Sequence, residues 1–249
     1  MKLDKKTSEE IKILQEGGHI LALIRDQLAQ MATLGVTGLE LDAQAQKMIK
    51  EAGGKPSFLG YHGFPNALCV SINETVVHGI PNKQAFQEGD LVGLDIGMEY
   101  KGLYTDTATT VAIGKVSEKI QKLLEVTKNS LALGIDQAQV GNDIAQIGQA
   151  IEKYVRPFGF GIVKDLAGHG VGRAVHEEPF VPNYNPGQKI AKIPSGLVIA
   201  IEPMLILGGS DEVLTGSDNW AVNAADGTQT AHFEHTIAIT EDGPLILTI

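Results

Sequence analysis

Hydrophobic residues recur at helical spacing in two stretches near the start of the chain. The first stretch follows Thr7-x-x-Glu10, the pattern of a capping box that begins a helix. Its apolar positions are Ile11, Leu14, Leu21, Ile24, Leu28 and Met31. The second stretch follows Thr37-x-x-Glu40 and runs towards Gly53-Gly54, where glycine favours the end of a helix. The spacing therefore predicts two consecutive helices.

Short apolar segments come next, and they predict strands. Residues 67–72 form one such segment, and residues 91–98 and 103–113 predict a hairpin with its turn around Glu99-Tyr100-Lys101-Gly102. The same order then returns, with helices from about Ser117 and after Gly141-Asn142-Asp143. Strands are predicted over residues 197–207, 220–223 and 230–240 and at the carboxyl end. Two helices followed by strands, twice over, indicate an α+β fold duplicated in tandem.

The two halves also repeat a pattern of acids. In each half an apolar run begins with glycine and ends six residues later on a carboxylate, Asp95 in the first copy and Glu202 in the second. A further acid enters a strand rich in Thr, Ile and Val, Asp106 in the first half and Glu234 in the second. Burying an unpaired carboxylate costs on the order of several kcal/mol. Few basic residues lie near these four acids, so the pattern predicts a bound cation.

Hairpin geometry brings the first two acids together. A loop at Tyr100-Lys101 places Asp95 directly opposite Asp106, and a loop at Lys101-Gly102 makes the pair diagonal. Both loops keep the acids on one face, because side chains alternate between faces with a period of two. Like charges so placed repel unless a divalent ion lies between them. The alternative is a solvated face of an edge hairpin, which the apolar residues flanking Asp95 disfavour because they indicate a strand covered on both sides.

Three histidines stand in motifs that suit a catalytic site. His78 and His176 each begin a His-x-x-Pro segment, one in each half. His169 lies in the glycine-flanked segment 168–172, which we interpret as a loop whose backbone can approach an ion closely. The alternatives are a solvent-facing turn for His169 and hydrogen-bonded core positions for the other two. The glycine spacing does not match that of a phosphate-binding loop.

The remaining histidines carry weaker signals. His235 directly follows a candidate ligand and points to the opposite face of a regular strand, which favours a structural role or a role in supporting a metal ligand from behind. His62 and His232 are ambiguous, and no function is predicted for His19 on the first helix.

Composition narrows the class of protein. The 249 residues are 43% hydrophobic, and their formal net charge of −10 disfavours a nucleic-acid surface. No apolar run approaches the roughly 20 residues that span a membrane, and the polar amino terminus does not resemble a signal peptide. The single cysteine, Cys69, excludes an internal disulfide and fits a reducing, cytoplasmic compartment. We expect one catalytic domain over residues 1–249, with halves of about 1–115 and 116–249 and the site between them.

Seven motifs share residue type, order and spacing with a known family. They are HGIP at 78–81, LDIG at 94–97, YTDT at 104–107, GHGVG at 168–172, HEEP at 176–179, IEPM at 201–204 and FEHT at 233–236. Through these motifs, essentially the whole chain resembles type I methionine aminopeptidases. The resemblance implies an α+β, duplicated pita-bread fold (creatinase/aminopeptidase-like), in which two pseudo-symmetric halves surround an antiparallel sheet.

The resemblance also implies a role for each site residue. The metal ligands are Asp95, Asp106, His169, Glu202 and Glu234, with Asp106 and Glu234 bridging two divalent ions. Oxygen-rich coordination with one imidazole suits Co, Mn, Fe or Zn without choosing among them. His176 stabilises the developing oxyanion, His78 holds the scissile amide, and Glu202 shuttles a proton to the leaving amine. The methionine pocket is formed by Phe58, Tyr61, His62, Phe64, Cys69 and Trp220.

The implied function is metal-dependent hydrolysis of the first peptide bond, which releases the amino-terminal methionine of nascent polypeptides and peptides, preferably before a small second residue. We expect a cytoplasmic monomer that works near the ribosome exit tunnel, without recognising nucleic acid or binding a membrane. Two positions depart from the family pattern: Val175 stands where an aromatic residue is usual, which predicts a wider pocket, and His232 stands where glutamine is usual.

Other functions stay open at this point. X-Pro aminopeptidases and prolidases share the expected fold and ligands but typically carry an extra amino-terminal domain, and type II methionine aminopeptidases carry an insertion in the second half. A non-catalytic protein of this fold that binds peptides or ribosomes is a third alternative. It predicts eroded ligands, whereas all five ligand positions are intact here.

Overall fold

Two capping boxes begin the first two helices. In the structure, a computed structural model that describes residues 3–249, α1 spans Ser8–Met31 and α2 spans Gly38–Glu51. The Thr7 hydroxyl accepts the N–H of Glu10, and the Glu10 carboxylate accepts the N–H of Thr7. Thr37 and Glu40 make the same reciprocal pair at α2. Both predicted helices are confirmed.

The second pair of helices occupies the predicted places in the second half. α3 spans Glu118–Gln137, and the hydroxyl of Ser117 accepts the N–H of Ile120 at its start. α4 spans Ala145–Val155 and packs against α3. Short 3₁₀ turns lie at Tyr61–Gly63 and Arg156–Phe158.

The strands form one large sheet and two small ones. The strands of the first half are β1 (Lys55–Pro56), β2 (Leu68–Ile72), β3 (Thr75–Val77), β4 (Leu91–Tyr100) and β5 (Leu103–Ala112). Those of the second half are β6 (Gly161–Ile162), β7 (Gly168–Gly170), β8 (Glu177–Val181), β9 (Val198–Ile201), β10 (Met204–Ile206), β11 (Val213–Thr215), β12 (Val222–Ala224), β13 (Thr230–His232), β14 (Glu234–Thr240) and β15 (Gly243–Ile246). The large antiparallel sheet has the order β1-β4-β5-β14-β9-β7-β8, with β2 beside β4 and β15 beside β14. The small sheets have the orders β13-β10-β6 and β11-β12-β3.

The β4–β5 hairpin decides between the two predicted loops. Tyr100 pairs with Leu103, so the loop is Lys101-Gly102, and both loop residues have positive φ, 52° and 84°. Asp95 pairs with Ala108, and Asp106 pairs with Gly97. The two acids are therefore diagonal neighbours on one face of the sheet, as the second of the two registers predicts.

Two long strands predicted in the second half are each broken, and this part of the prediction is wrong. Residues 198–201 pair with β14 in the large sheet, whereas residues 204–206 pair with β13 in a small sheet. The break falls at Glu202-Pro203, because proline has no N–H to donate to a ladder. Phe233 separates β13 from β14 opposite this break. The predicted loop around His169 is also corrected, because Gly168–Gly170 forms a short strand between β8 and β9.

Each pair of helices covers its own hydrophobic core. One core joins α1 and α2 to β2 and β4, with Leu21, Leu41 and Leu94 fully buried. The other joins α3 and α4 to strands of the second half, with Leu123 and Ile199 fully buried. The large sheet runs through both halves, because β5 pairs with β14. This arrangement supports the prediction of one catalytic domain with two halves, which stays a prediction. Within residues 3–249, no helix combines the length and hydrophobicity needed to cross a membrane.

Candidate metal centre

The acids of the first half are fixed by the hairpin and by a contact with β14. Asp95 lies on β4 and Asp106 lies on β5, two residues from the position opposite Asp95. The Asp106 N–H donates to the Thr236 hydroxyl over 3.1 Å, and the same hydroxyl lies 2.9 Å from Asp106 Oδ1. Asp106 is only 4% exposed. Its carboxylate is thus held in place before any ligand arrives.

The acids of the second half lie where the chain passes between sheets. Glu202 follows β9, and its carbonyl accepts a hydrogen bond of 3.0 Å from the Asn183 side chain. Glu234 is the first residue of β14, and its carbonyl accepts a hydrogen bond of 2.8 Å from the Thr107 hydroxyl on β5. Glu234 is 3% exposed. Both side chains reach the cavity that Asp95 and Asp106 also line.

His169 faces these acids with its Nε2 atom. Its Nδ1 lies 2.9 Å from the Gly170 carbonyl oxygen, which can only accept, so in the neutral ring this bond places the proton on Nδ1. The unprotonated Nε2 then lies 3.4 Å from Asp106 Oδ2 and 3.6 Å from Glu202 Oε1. In this neutral form acceptors face acceptors, an arrangement that a cation between them would resolve.

The donor atoms are close enough for one ion to contact several of them. One donor atom each from Asp106, His169 and Glu234 lies within 4.8 Å of the others, and Asp95 and Glu202 line the same cavity. Carboxylate oxygens with one imidazole nitrogen suit divalent transition metals. The residues present therefore fit a divalent metal centre.

Electrostatics point the same way. Burial raises the pKa of Asp95 to about 7 and that of Glu202 to about 8, and the neighbouring acids add to both shifts. The pKa of Glu234 is raised well above its usual value, first by burial and then by the other carboxylates, and Arg25 opposes this only weakly. Burial raises the pKa of Asp106 as well. The negative charges are therefore poorly compensated by the protein alone, and a cation would supply the missing charge.

His78 and His176 lie at the same cavity and are held in different ways. His78 adopts a left-handed backbone conformation with φ 59°. His176 Nδ1 lies 3.0 Å from the Tyr61 hydroxyl, and its ring centroid lies 4.3 Å from that of His169. Burial lowers the pKa of His78, and burial followed by the charge of His169 lowers the pKa of His176 to about 4. Both rings are therefore neutral near pH 7, each with one N–H to donate.

The segment that carries His176 is tied to the residues before α1. The buried ammonium of Lys6 pairs with the carboxylate of Glu177, the residue after His176. The other Glu177 oxygen accepts the N–H groups of Arg173 and Ala174. This network closes the turn before His176 and anchors it to the start of the chain.

A cavity of about 670 Å³ gathers all the residues predicted for the site. The predicted metal ligands, His78 and His176 line it together with Phe58, Tyr61, His62, Phe64, Cys69 and Trp220. Phe64 and Trp220 meet edge to face, with ring centroids 5.2 Å apart. Burial raises the pKa of the Cys69 thiol well above its usual value, with Asp95 adding to the shift. The thiol stays protonated, which fits a wall of the pocket rather than a nucleophile.

Some lining residues were missed by sequence reasoning. They include Val77, Leu166 and Phe180. Val77 and Leu166 lie one and three residues from His78 and His169, so proximity to these motifs was an available signal. Phe180 follows the His-x-x-Pro segment of the second half and is 47% exposed, and periodicity gives no signal for it.

The remaining predicted positions lie around the cavity. His235 Nδ1 lies 2.9 Å from the Thr248 hydroxyl, and His235 does not line the cavity, as expected for the opposite face of β14. Val175 is buried outside the cavity lining, so a wider pocket at this position stays a prediction. His232 lies behind the cavity wall, with Nε2 3.5 Å from Glu202 Oε2. His19 lies on α1, contacts the main-chain oxygen of Ile249 and does not line the cavity.

Comparison with known proteins agrees with this geometry. A model of metallopeptidase family M24 matches residues 12–241. Methionine aminopeptidase 1 of Bacillus subtilis (strain 168) is 44% identical over 243 residues, which cover 98% of each chain. Methionine aminopeptidase of Borreliella burgdorferi is 46% identical over 247 residues, which cover 99% of this chain and 98% of that protein.

Solved structures give the same result. A methionine aminopeptidase from Rickettsia prowazekii superposes with a TM-score of 0.97 at 31% identity and full coverage of both chains. A prolidase from Pyrococcus horikoshii OT3 superposes with a TM-score of 0.80 at 24% identity, but the match covers only 63% of that chain. The prolidase likeness extends to the fold alone.

Proposed function

The chain belongs to metallopeptidase family M24, and from this premise we propose that it hydrolyses the first peptide bond of polypeptides to release an amino-terminal methionine. The family match and the solved relatives confirm the predicted α+β pita-bread fold. The observation that carries the proposal is the meeting, in one cavity, of the five proposed metal ligands, two neutral histidines and an apolar, aromatic pocket.

As a metallopeptidase the enzyme uses a divalent metal, and we propose two ions per chain. Asp106 and Glu234 are the proposed bridging ligands, because each carboxylate is buried at the meeting point of β5 and β14. His169 and Glu202 complete one proposed site, and Asp95 completes the other. Co, Mn, Fe and Zn all suit this donor set. When bound, such a pair of ions supplies a hydroxide nucleophile near neutral pH and polarises the scissile carbonyl.

The protein groups then position the peptide and handle its protons. We propose that His176 donates from Nε2 to the carbonyl oxygen as that oxygen gains charge. The Tyr61 hydroxyl, 3.0 Å from Nδ1, supports this role because it can donate to Nδ1 and so favour the tautomer with a proton on Nε2. His78 holds the amide of the scissile bond from the other side of the cavity. Glu202 passes a proton to the leaving amine.

The pocket explains the preference for methionine. Its walls are aromatic and apolar, with a neutral thiol at Cys69, and such surfaces suit a flexible, polarisable thioether. The proposed place of the free amino group is the Asp95 end of the site, which limits cleavage to the first bond. We propose, from the family resemblance, that a small second residue is preferred.

We further propose that the enzyme works as a monomer in the cytoplasm, on nascent chains close to the ribosome exit tunnel. Support for a monomer comes from the cavity, since residues of one chain supply every proposed ligand. The buried, unpaired Cys69 suits a reducing compartment. Equilibrium sedimentation and co-sedimentation with ribosomes test these two points.

The direct test is turnover of the tripeptide Met-Ala-Ser by metal-free protein reloaded with Mn, Fe, Co or Zn. We expect release of free methionine with at least one metal. The matched control is acetyl-Met-Ala-Ser, which lacks a free amino group and should not be cleaved. An X-Pro peptide without methionine should also remain intact.

Each alternative predicts a different result. Cleavage of the X-Pro peptide in preference to Met-Ala-Ser would support a prolidase activity instead. Folded protein that binds the ions but releases no methionine with any metal would support a non-catalytic binding role. Cleavage of the acetylated peptide would contradict the proposed place of the amino group.

A further inference from the structure

His232 is a buried residue whose ring nitrogen has no hydrogen-bond partner. It ends β13, where it pairs with Met204 of β10, and it is 3% exposed. Its Nε2 is one of few buried side-chain polar atoms without a partner in the part of the chain that the structure describes. Such an atom is costly to bury and calls for an explanation.

The backbone of His232 is held by hydrogen bonds to the Thr110 side chain. The Thr110 hydroxyl accepts the His232 N–H over 2.9 Å and lies 2.8 Å from the His232 carbonyl, to which it can donate. The ring does not line the cavity, so a peptide there does not reach it. Any role of the ring in catalysis therefore runs through a neighbouring side chain.

That neighbour is Glu202. His232 Nε2 lies 3.5 Å from Glu202 Oε2, while the other carboxylate oxygen, Oε1, faces His169 Nε2 at 3.6 Å. Glu202 lies between β9 and Pro203, where neither sheet ladder continues, so its side chain lacks the support that a regular strand gives. Asp106, by contrast, has the Thr236 hydroxyl 2.9 Å from its carboxylate.

We propose that His232 is a positioning residue that donates from Nε2 to Glu202 Oε2 and thereby holds Oε1 towards His169. A contraction of a few tenths of an ångström brings the pair to ordinary hydrogen-bond distance. The inference rests on the proposed function, because it assigns Glu202 to the metal site. Hydrogen bonds to the unused oxygen of a metal-binding carboxylate orient the ligand and tune its affinity.

The test compares side chains of similar length with and without a donor. His232→Gln keeps an N–H that can reach Glu202, whereas His232→Met does not. Each metal-free protein is titrated with Mn²⁺ and with Co²⁺ by calorimetry, the visible spectrum of the Co²⁺ form is recorded, and kcat and KM are measured on Met-Ala-Ser. His235→Leu is the control, because it removes a neighbouring histidine that bonds Thr248 instead.

We expect His232→Met to weaken binding of at least one ion by about 10–100-fold, to change the Co²⁺ spectrum and to lower kcat by a similar factor. KM should change by less than about threefold, because His232 does not touch the peptide. His232→Gln should stay within about threefold of the wild type in all measurements. His235→Leu should lower the melting temperature while leaving metal affinity unchanged.

Equal metal affinity, spectrum and kcat in folded His232→Met and wild type would overturn the inference, as would equal losses in the Gln and Met variants. If His232→Met does not fold, His232→Leu takes its place in the same comparison. Wild-type protein that binds no divalent ion would overturn the proposed function itself, and the inference with it. The two failures are therefore distinguishable.

Discussion

In the first half of the molecule Asp95 and Asp106 lie within a regular hairpin, whereas in the second half Glu202 and Glu234 lie where two strands leave one sheet for another. The ten residue pairs of the hairpin fix both aspartates through the backbone. The ladder between β9 and β14 stops at the pair Ile201–His235. A new ladder between β10 and β13 begins at the pair of Met204 and His232.

The repeated pattern of acids is therefore held by two different backbone arrangements, a regular strand in the first half and a strand break in the second. A regular strand holds a short Asp side chain with no outside help beyond Thr236. At a break, the longer Glu side chain spans the distance to the cavity, and its orientation depends on contacts from other elements. Asn183 bonds the carbonyl of Glu202, and Thr107 bonds that of Glu234. The second half is therefore the more adjustable side of the site.

The largest expected effects come from replacing one proposed bridging acid in each half, which tests whether the two halves contribute equally to metal binding and turnover. Asp106→Asn and Glu234→Gln should each lower kcat by about 10³-fold or more. Each should also weaken the binding of both ions, because each carboxylate is a proposed bridge. The measurements are metal content by elemental mass spectrometry and kcat on Met-Ala-Ser. Full retention of one ion in either variant would show that its carboxylate does not bridge.

Each half offers a matched control for these substitutions. Asp42 and Asp143 are buried acids outside the cavity, and each accepts backbone N–H groups. Asp42→Asn and Asp143→Asn should lower stability while leaving metal content intact. Loss of metal from either control would indicate a global effect and would weaken the comparison.

The next effect concerns the matching histidines. His78→Ala and His176→Ala should keep both ions and lower kcat by roughly 10²–10⁴-fold, the range expected for removing a group that donates a proton or hydrogen bond in the transition state. His19→Ala on α1 is the control. Metal loss in either variant would mean that the histidine is a ligand rather than a donor to the peptide.

Much of this site was readable from the sequence, for reasons that are local. The period of two placed Asp95 and Asp106 on one face whichever loop formed, and the capping boxes marked α1 and α2. The glycine-to-acid repeat pointed to Glu202 and Glu234. Pro203 also carries a signal for the break after Glu202, because proline cannot donate to a ladder.

Other features depend on contacts between distant segments. The strand at Gly168–Gly170 has three residues, two of them glycines, so neither length nor composition distinguishes it from a loop. The hydrogen bond from His169 Nδ1 to Gly170 forms only in that local geometry. His232 was ambiguous because its meaning comes from Glu202, thirty positions away in the sequence.

The smallest effect is a change in the stability of the metal-free protein with pH. The pKa of Asp95, ordinarily 3.8, is raised to about 7, and that of Glu202, ordinarily 4.5, is raised to about 8. Because these pKa values are higher in the folded than in the unfolded state, folding retains protons. The resulting stabilisation is complete below about pH 4 and is lost as the pH rises through about 7 to 8. The melting temperature of the metal-free protein should therefore fall between pH 5 and pH 9. Other titrating residues also contribute to this slope, and the variants described next leave their contribution unchanged.

Two variants separate the contributions of the two halves to this pH dependence of the melting temperature. Asp95→Asn and Glu202→Gln should each flatten the pH dependence of the metal-free protein, because neither amide titrates. The two carboxyl groups interact, so the remaining slope in each variant should also shift to lower pH, where one acid titrates without the repulsion of the other. Saturating Mn²⁺ should reverse the trend in the wild type, since its ligands bind the ion only after losing their protons. A wild-type slope that persists when Asp95→Asn and Glu202→Gln are combined would assign the pH dependence to groups other than these two acids.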